Sequence, residues 1–220
     1  MKFSGKTIQV LKNFSIINPS IMFEKGNVLS TISPQMTIMA KAKIDEEIEK
    51  DFGIFDLNRF LGVLSLFNDP DLNLHDNYVK ISDEKKSVNF IFADPVTMVV
   101  PPKKELKVSD PYATFELSID ALQNVMKAAS VLQLPDIAIE SNGERLLCKA
   151  IDTKNPTNNS FEIDLQPETK KFKVVIPCNN LKLLNKDYNV SVMKGISRFI
   201  STDNEIEYYI AVAANSSYGE

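Results

Sequence analysis

The chain has 220 residues, of which 44% are hydrophobic and 25% charged, and its net charge is −4. That composition can bury a sizeable core and has room for one large domain or two of about 110 residues. It excludes a surface coated with basic residues, so any contact with nucleic acid must be local. No run approaches the roughly 20 apolar residues that span a bilayer, and the first residues hold no apolar signal-peptide segment. A soluble intracellular protein with no membrane partner is expected, and Cys148 and Cys178 then read as unpaired thiols.

In residues 6–17, Thr7, Val10, Leu11, Phe14 and Ile17 recur at helical spacing in line with Phe3. Lys2, Lys6, Gln9 and Asn13 oppose them, Lys12 lies at the margin, and Pro19 ends the helix. Strands are expected at 21–24, 28–32, 36–44 and 48–55, with Lys25-Gly26-Asn27 as a hairpin signal between the first two. Asp56 is a natural N-cap for a second helix over 57–67, whose apolar stripe is Leu57, Phe60, Leu61, Leu64 and Phe67. Three strands follow, at 72–75, 78–82 and 87–92.

Ala93-Asp94-Pro95 then opens a proline-rich, charged stretch without periodicity that runs to Pro111. It predicts a connector over 95–111 between domains at 1–94 and 112–220. The second half repeats the order of the first. A strand at 113–119 leads to a third helix over 121–133, with Asp120 as its expected N-cap, and strands follow at 136–140, 146–151, 161–165 and 171–176. A fourth, shorter helix is expected over 179–186 after Pro177, then three more strands. A helix followed by strands, four times over, points to an architecture built by repetition.

Catalytic chemistry has little to work with. His75 is the only histidine and sits beside Asp76 and Asn77, where a solvated histidine is the simpler reading. There is no glycine-rich phosphate cradle. Asp45-Glu46-Glu47 and Asp69-Pro70-Asp71 could ligate a hard cation, but both fall between expected elements and read as solvated turns. Neither an enzyme nor a metal or cofactor is expected.

The helices hold another signal. Lys2, Lys6, Lys12, Arg59, Lys127, Lys182 and Lys186 lie on them or at their ends, against only Asp56, Asp120 and Asp187. The helices are thus basic in an acidic chain, a partition that favours a shared anionic partner over lysines merely solvated. Scattered lysines and amides, with no arginine cluster and no stacking aromatics, would meet phosphates weakly and without sequence preference.

The chain resembles the DNA sliding clamps, and among them the clamps of T-even-type bacteriophages. The likeness is carried by Leu11-Lys12-Asn13-Phe14, by Asp56-Leu57-Asn58-Arg59-Phe60-Leu61-Gly62-Val63-Leu64-Ser65-Leu66 and by Ala93-Asp94-Pro95, and by order of elements in the second half. It implies an α+β fold, the DNA clamp fold, with two similar domains, each with two helices on antiparallel sheets, assembled as a toroid. It further implies a homotrimer that encircles double-stranded DNA without sequence preference, with the seven basic residues above facing the bore. An ATP-dependent clamp loader would open the ring, a C-terminal peptide of the DNA polymerase would dock on it, and late transcription factors could use it in the host cytoplasm. By analogy the peptide pocket lies near Ile32, Pro34, Met36, Val99, Val100, Leu106 and the C-terminal strand. Two other readings stay open at this point: a β-rich structural or scaffold protein of a virion, and a non-catalytic single-stranded DNA-binding module.

Overall fold

A computed structural model describes every residue except Glu105, Lys107, Val108, Thr169 and Glu220. The chain forms two compact units, Met1–Lys104 and Glu105–Glu220.

The first unit starts with α1 (Gly5–Ile17), followed by the strands β1 (Ile21–Phe23), β2 (Gly26–Ile32), β3 (Ile38–Ile48) and β4 (Phe52–Ile54). Then come α2 (Leu57–Leu64), β5 (Asp71–Leu74), β6 (Tyr78–Ser82) and β7 (Ser87–Ile91). All pairings are antiparallel: β1 with β4, β2 with β3, and β5–β6–β7 in order. The turn at Lys25-Gly26-Asn27 therefore joins two strands whose ladders run elsewhere, contrary to a simple hairpin. Backbone bonds of Met1 to Leu72, 2.9 and 2.7 Å, tie the chain start onto β5.

The core of this unit is an aromatic column. Phe23 stacks on Phe52 at 4.5 Å between ring centroids and meets Phe60 edge-on at 6.3 Å, and Phe60 meets Phe90 edge-on at 5.2 Å. Phe23 and Phe60 are fully buried and Phe52 nearly so. The column thus fixes α2 against β1 and β4 through apolar burial and ring geometry together.

The second unit contains β8 (Ala113–Leu117), α3 (Ile119–Leu132), β9 (Asp136–Ser141), β10 (Leu146–Ile151), β11 (Phe161–Gln166) and β12 (Phe172–Pro177). It ends with β13 (Tyr188–Met193), β14 (Ile196–Ser201), β15 (Ile206–Ala211) and the two-residue β16 (Ser217–Tyr218). One sheet runs β11–β10–β9–β12–β16, and β8–β13–β14–β15 pair in that order. α3 packs on β9, β10 and β11. In both units a helix is followed by four strands and later by three more, to which the second unit adds the two-residue β16.

Three further expectations from the sequence are corrected. The third helix is capped by Ser118, whose hydroxyl accepts from the Ala121 N–H at 3.2 Å, while Asp120 sits in the first turn. Asp45-Glu46-Glu47 is not a turn: β3 continues through it to Ile48. The largest correction is the expected fourth helix. Only a single 3-10 turn, Cys178–Asn180, forms there, and 181–187 has no helical structure. Two buried tyrosines explain this. The Tyr188 hydroxyl donates to Leu184 O at 2.7 Å, and the Tyr208 hydroxyl accepts from Leu184 N–H at 3.1 Å. Both backbone groups of Leu184 are thereby taken by the sheet, and neither is available to a helical ladder. The segment also lacks a side-chain cap at Pro177, whereas Asp56 caps α2.

Candidate nucleic-acid interface

The first helix begins at Ser4, whose hydroxyl accepts from Thr7 N–H at 3.2 Å. The Glu46 carboxylate accepts from the Ser4 N–H and from the Thr7 hydroxyl. It places a negative charge at the positive end of a helix that has no acid in its own first turn. An acid read as solvent-facing is therefore a cap supplied by the neighbouring strand. Lys6 pairs with Asp45 at 3.3 Å and Lys2 with Asp69 at 2.5 Å. The hydrogen bond that Lys2 donates to Asp69 raises the Lys2 pKa, and bonds from Ser4 and Lys6 lower that of Asp45.

The face that α1 turns to solvent is rotated from the one expected. Asn13 is buried, and the exposed side chains are Gln9, Lys12 and Ile16. Lys12 is thus central to the exposed face rather than marginal. On α2, the Asp56 carboxylate accepts from Arg59 N–H at 2.8 Å, and Asn58, Arg59 and Gly62 are exposed. On α3, Asp120, Gln123, Asn124, Lys127, Ser130 and Val131 are exposed. Among the described residues, Lys12, Arg59 and Lys127 enter no ion pair, so each helix presents one open cation.

Lys182 and Lys186 do not lie on a helix, which removes the ground on which they were grouped with the others. Lys186 is bound to Asp203 and, at 3.2 Å, to Glu205. Burial alone would lower its pKa, but the two carboxylates outweigh burial and raise it. Burial would likewise raise Asp203, yet hydrogen bonds from Lys186, Ser201 and the Glu205 N–H hold that carboxyl at about 2. Lys182 is half-buried. Asp187 accepts from Ile119 N–H at 2.7 Å, so it serves the start of α3.

The six residues proposed for a partner pocket divide between the two units. In the first, the Asn18 side-chain amide donates to Ile32 O and to Val99 O, both at 2.9 Å, joining the end of β2 to the stretch that follows Thr97. Pro34 and Met36 are exposed on the turn that follows β2, where Met36 N–H donates to Ser33 O at 2.8 Å. Met36 has a left-handed backbone (φ 56°) and is 73% exposed, while Val99 and Val100 are 38% and 42% exposed. Leu106 is exposed and belongs to the second unit. The sequence reading missed Val96, 91% exposed on the 3-10 turn Pro95–Thr97 that Asp94 caps, and Asn18, which ties this region together. A proline after an Asx residue is the signal that marks such a turn.

Elsewhere chemistry is sparse. His75 stacks on Tyr78 at 4.4 Å. Burial pushes the Cys148 thiol up to about 12, which makes it unreactive. Among the described residues no group of three His, Cys, Asp or Glu is placed to hold a metal ion, and no helix is long and apolar enough to cross a membrane.

Comparison with known proteins supplies a frame for these faces. Residues 2–100 match the family model described as DNA polymerase processivity factor, and residues 114–214 match that of the gp45 sliding clamp, C terminal. The chain is 30% identical to the sliding clamp of Escherichia phage RB69, covering 99% of both chains. It is 30% identical to that of Vibrio phage KVP40, over 97% of this chain and 100% of the relative. Among solved structures it is similar to A. fulgidus PCNA bound to the C-terminal region of FEN-1, with a TM-score of 0.70 at 13% identity over 94% and 95% of the two chains. A Helicobacter pylori beta clamp in complex with 3,4-difluorobenzamide gives 0.73 at 12% identity, over 97% of this chain and 65% of that one. These structures share the α+β clamp fold, helices on antiparallel sheets.

Proposed function

We propose, from the premise that this chain belongs to the sliding-clamp family of DNA polymerase processivity factors, that three copies close into a ring around duplex DNA and tether the replicative polymerase. Family membership displaces the virion-scaffold and single-strand-binding readings. The domains are then 1–94 and 112–220, joined by the connector 95–111. The observation that carries the DNA-facing assignment is the open cation on each of α1, α2 and α3 in a chain of net charge −4. Lys12, Arg59 and Lys127 attract phosphates directly. Lys2, Lys6 and Lys186 contribute less, because Asp69, Asp45 and Asp203 already neutralise them. Topological linkage keeps a ring on DNA, so weak and sequence-neutral contacts suffice and leave it able to diffuse.

Ring closure has candidate seams. β7 ends the sheet of the first unit and β11 ends one in the second, each with an open row of backbone donors and acceptors. Glu162 and Asp164 alternate along β11, and Lys85 and Lys86 lead into β7. Pairing β7 of one copy with β11 of the next continues the sheet across protomers, with charge contributing less because Glu162, Asp164 and Lys86 already pair with Lys149, Arg145 and Asp83. The exposed apolar group Met36, Val96, Val99 and Val100 is read as the docking place for a short peptide at the polymerase C-terminus, and late transcription factors as further users. A clamp loader opens the ring with ATP hydrolysed on the loader, in the host cytoplasm, and the clamp itself is read as having no catalytic function.

The test is solution mass together with primer extension. A trimer that stimulates extension on primed circular DNA is expected, and Ile91→Glu, at the β7 edge, is expected to give monomers. A persistent monomer of the unaltered chain at micromolar concentration contradicts the ring.

A further inference from the structure

Superposing the buried stripes of α1 and α3 pairs Thr7 with Leu122, Val10 with Val125 and Phe14 with Ala129. The same alignment pairs the exposed positions: Gln9 with Asn124, Lys12 with Lys127 and Ile16 with Val131. Each helix therefore shows the same exposed triplet at i, i+3 and i+7, an amide, a lysine and a β-branched aliphatic. Ile16 is 57% exposed and Val131 is 74% exposed. A single exposed aliphatic is ordinary on any protein surface. The same one at matching places in two helices of different sequence, four residues beyond a lysine without an ion pair, calls for a partner with matching chemistry. α2 has no such triplet: the position four residues beyond Arg59 is the half-buried Val63.

We propose that Ile16 and Val131 touch the deoxyribose edges of the duplex while Lys12 and Lys127 meet the flanking phosphates. The proposal rests on the sliding-clamp reading of the helix faces. A DNA strand alternates an anionic phosphate with a sugar whose edge is made of C–H groups. Residues four apart on a helix stand about 5–6 Å apart at Cβ, which suits a cation on one and an aliphatic on the other. Neither triplet contains an acid; the exposed acid on these two helices is Asp120, one turn before Asn124 at the start of α3, seven residues from Lys127 and eleven from Val131. Sugar edges are the same for every base pair, so the contact is blind to sequence. An apolar contact also releases no counterions, so it survives salt that screens the lysines. A clamp using both contacts stays seated on the backbone over a wider range of ionic strength than one using lysines alone.

Methyl NMR on the assembled full-length protein, with a short duplex added, tests the contact directly. Cross-relaxation is expected between the Ile16 and Val131 methyls and the sugar protons, and it is expected to persist when salt is raised. Two double variants separate the contributions in duplex-binding titrations over a salt series. Ile16→Gln with Val131→Gln should lower affinity on the order of three-fold at every salt concentration, with the salt slope unchanged. Lys12→Gln with Lys127→Gln should flatten the slope by roughly 0.9 for each phosphate that the lysines no longer neutralise. Silent methyls with a flattened slope in the lysine variant overturn the sugar contact and leave the clamp reading standing. If neither variant alters binding, the helix faces do not meet DNA and both readings fall. Glutamine keeps helix propensity high, and unchanged far-UV circular dichroism verifies that each variant is folded.

Discussion

The stretch that holds α2 in the first unit and the stretch at 178–187 in the second occupy the same place in the repeated order, yet one is a helix and the other is not. α2 has a carboxylate cap at Asp56 and a buried aromatic, Phe60, on its inner face. Residues 178–187 have neither, and the hydroxyls of Tyr188 and Tyr208 take both backbone groups of Leu184. The lesson is that a repeat can preserve its order of strands while one helix is replaced by tertiary hydrogen bonds. The charges follow the same division. Among the described residues the Arg59 side chain on α2 enters no ion pair, while Lys186 is bound to Asp203 and Glu205.

Phe60→Ala breaks the comparison most severely. It removes the ring that joins α2 to Phe23 and Phe90, and is expected to cost about 3–5 kcal/mol in denaturant unfolding. In contrast, Leu183→Ala, at a half-buried position in the non-helical stretch, should cost far less. Next in size is Tyr188→Phe with Tyr208→Phe, which leaves the Leu184 N–H without its partner, while Leu184 O still accepts from Lys186 N–H at 2.9 Å. A loss of about 1–3 kcal/mol for that unsatisfied donor is expected, with faster hydrogen exchange at the Leu184 amide. Asp56→Ala should cost about 1 kcal/mol by removing the cap of α2.

The smallest effect is a pH dependence confined to the second unit. The folded pKa of Asp203, about 2, lies below an unfolded value near 3.9. The stability it contributes is therefore complete above about pH 4 and lost as pH falls toward 2. Asp203→Asn should make the stability profile shallower in that window and leave the profile of the first unit unchanged.

Much of this fold was legible from periodicity and punctuation. The stripe Val10, Leu11, Phe14 and Ile17, closed by Pro19, marked α1, and Asp56 marked the start of α2. Signals that depend on distant residues were not. Nothing local to 179–186 announces that Tyr188 and Tyr208 will hold Leu184, and nothing near Glu46 announces a helix start 42 residues earlier at Ser4. The candidate site followed the same rule. Lys12, Arg59 and Lys127 were found because they sit on amphipathic helices. The neutralising partners of Lys2, Lys6 and Lys186 come from strands and turns far away in sequence. The exposure of Ile16 was hidden because it sits at the edge of an apolar run, where periodicity alone cannot assign a face.

The central claim is a topological link between ring and duplex. Its most direct measurement is retention of loader-assembled protein on nicked circular DNA, followed by restriction cleavage of the circle. The account predicts stable association with the circle and rapid loss after linearisation, with Lys12→Gln, Arg59→Gln and Lys127→Gln together lowering the loaded fraction. Equal retention on circular and linear DNA would contradict it, because binding would then rest on surface affinity and not on encirclement.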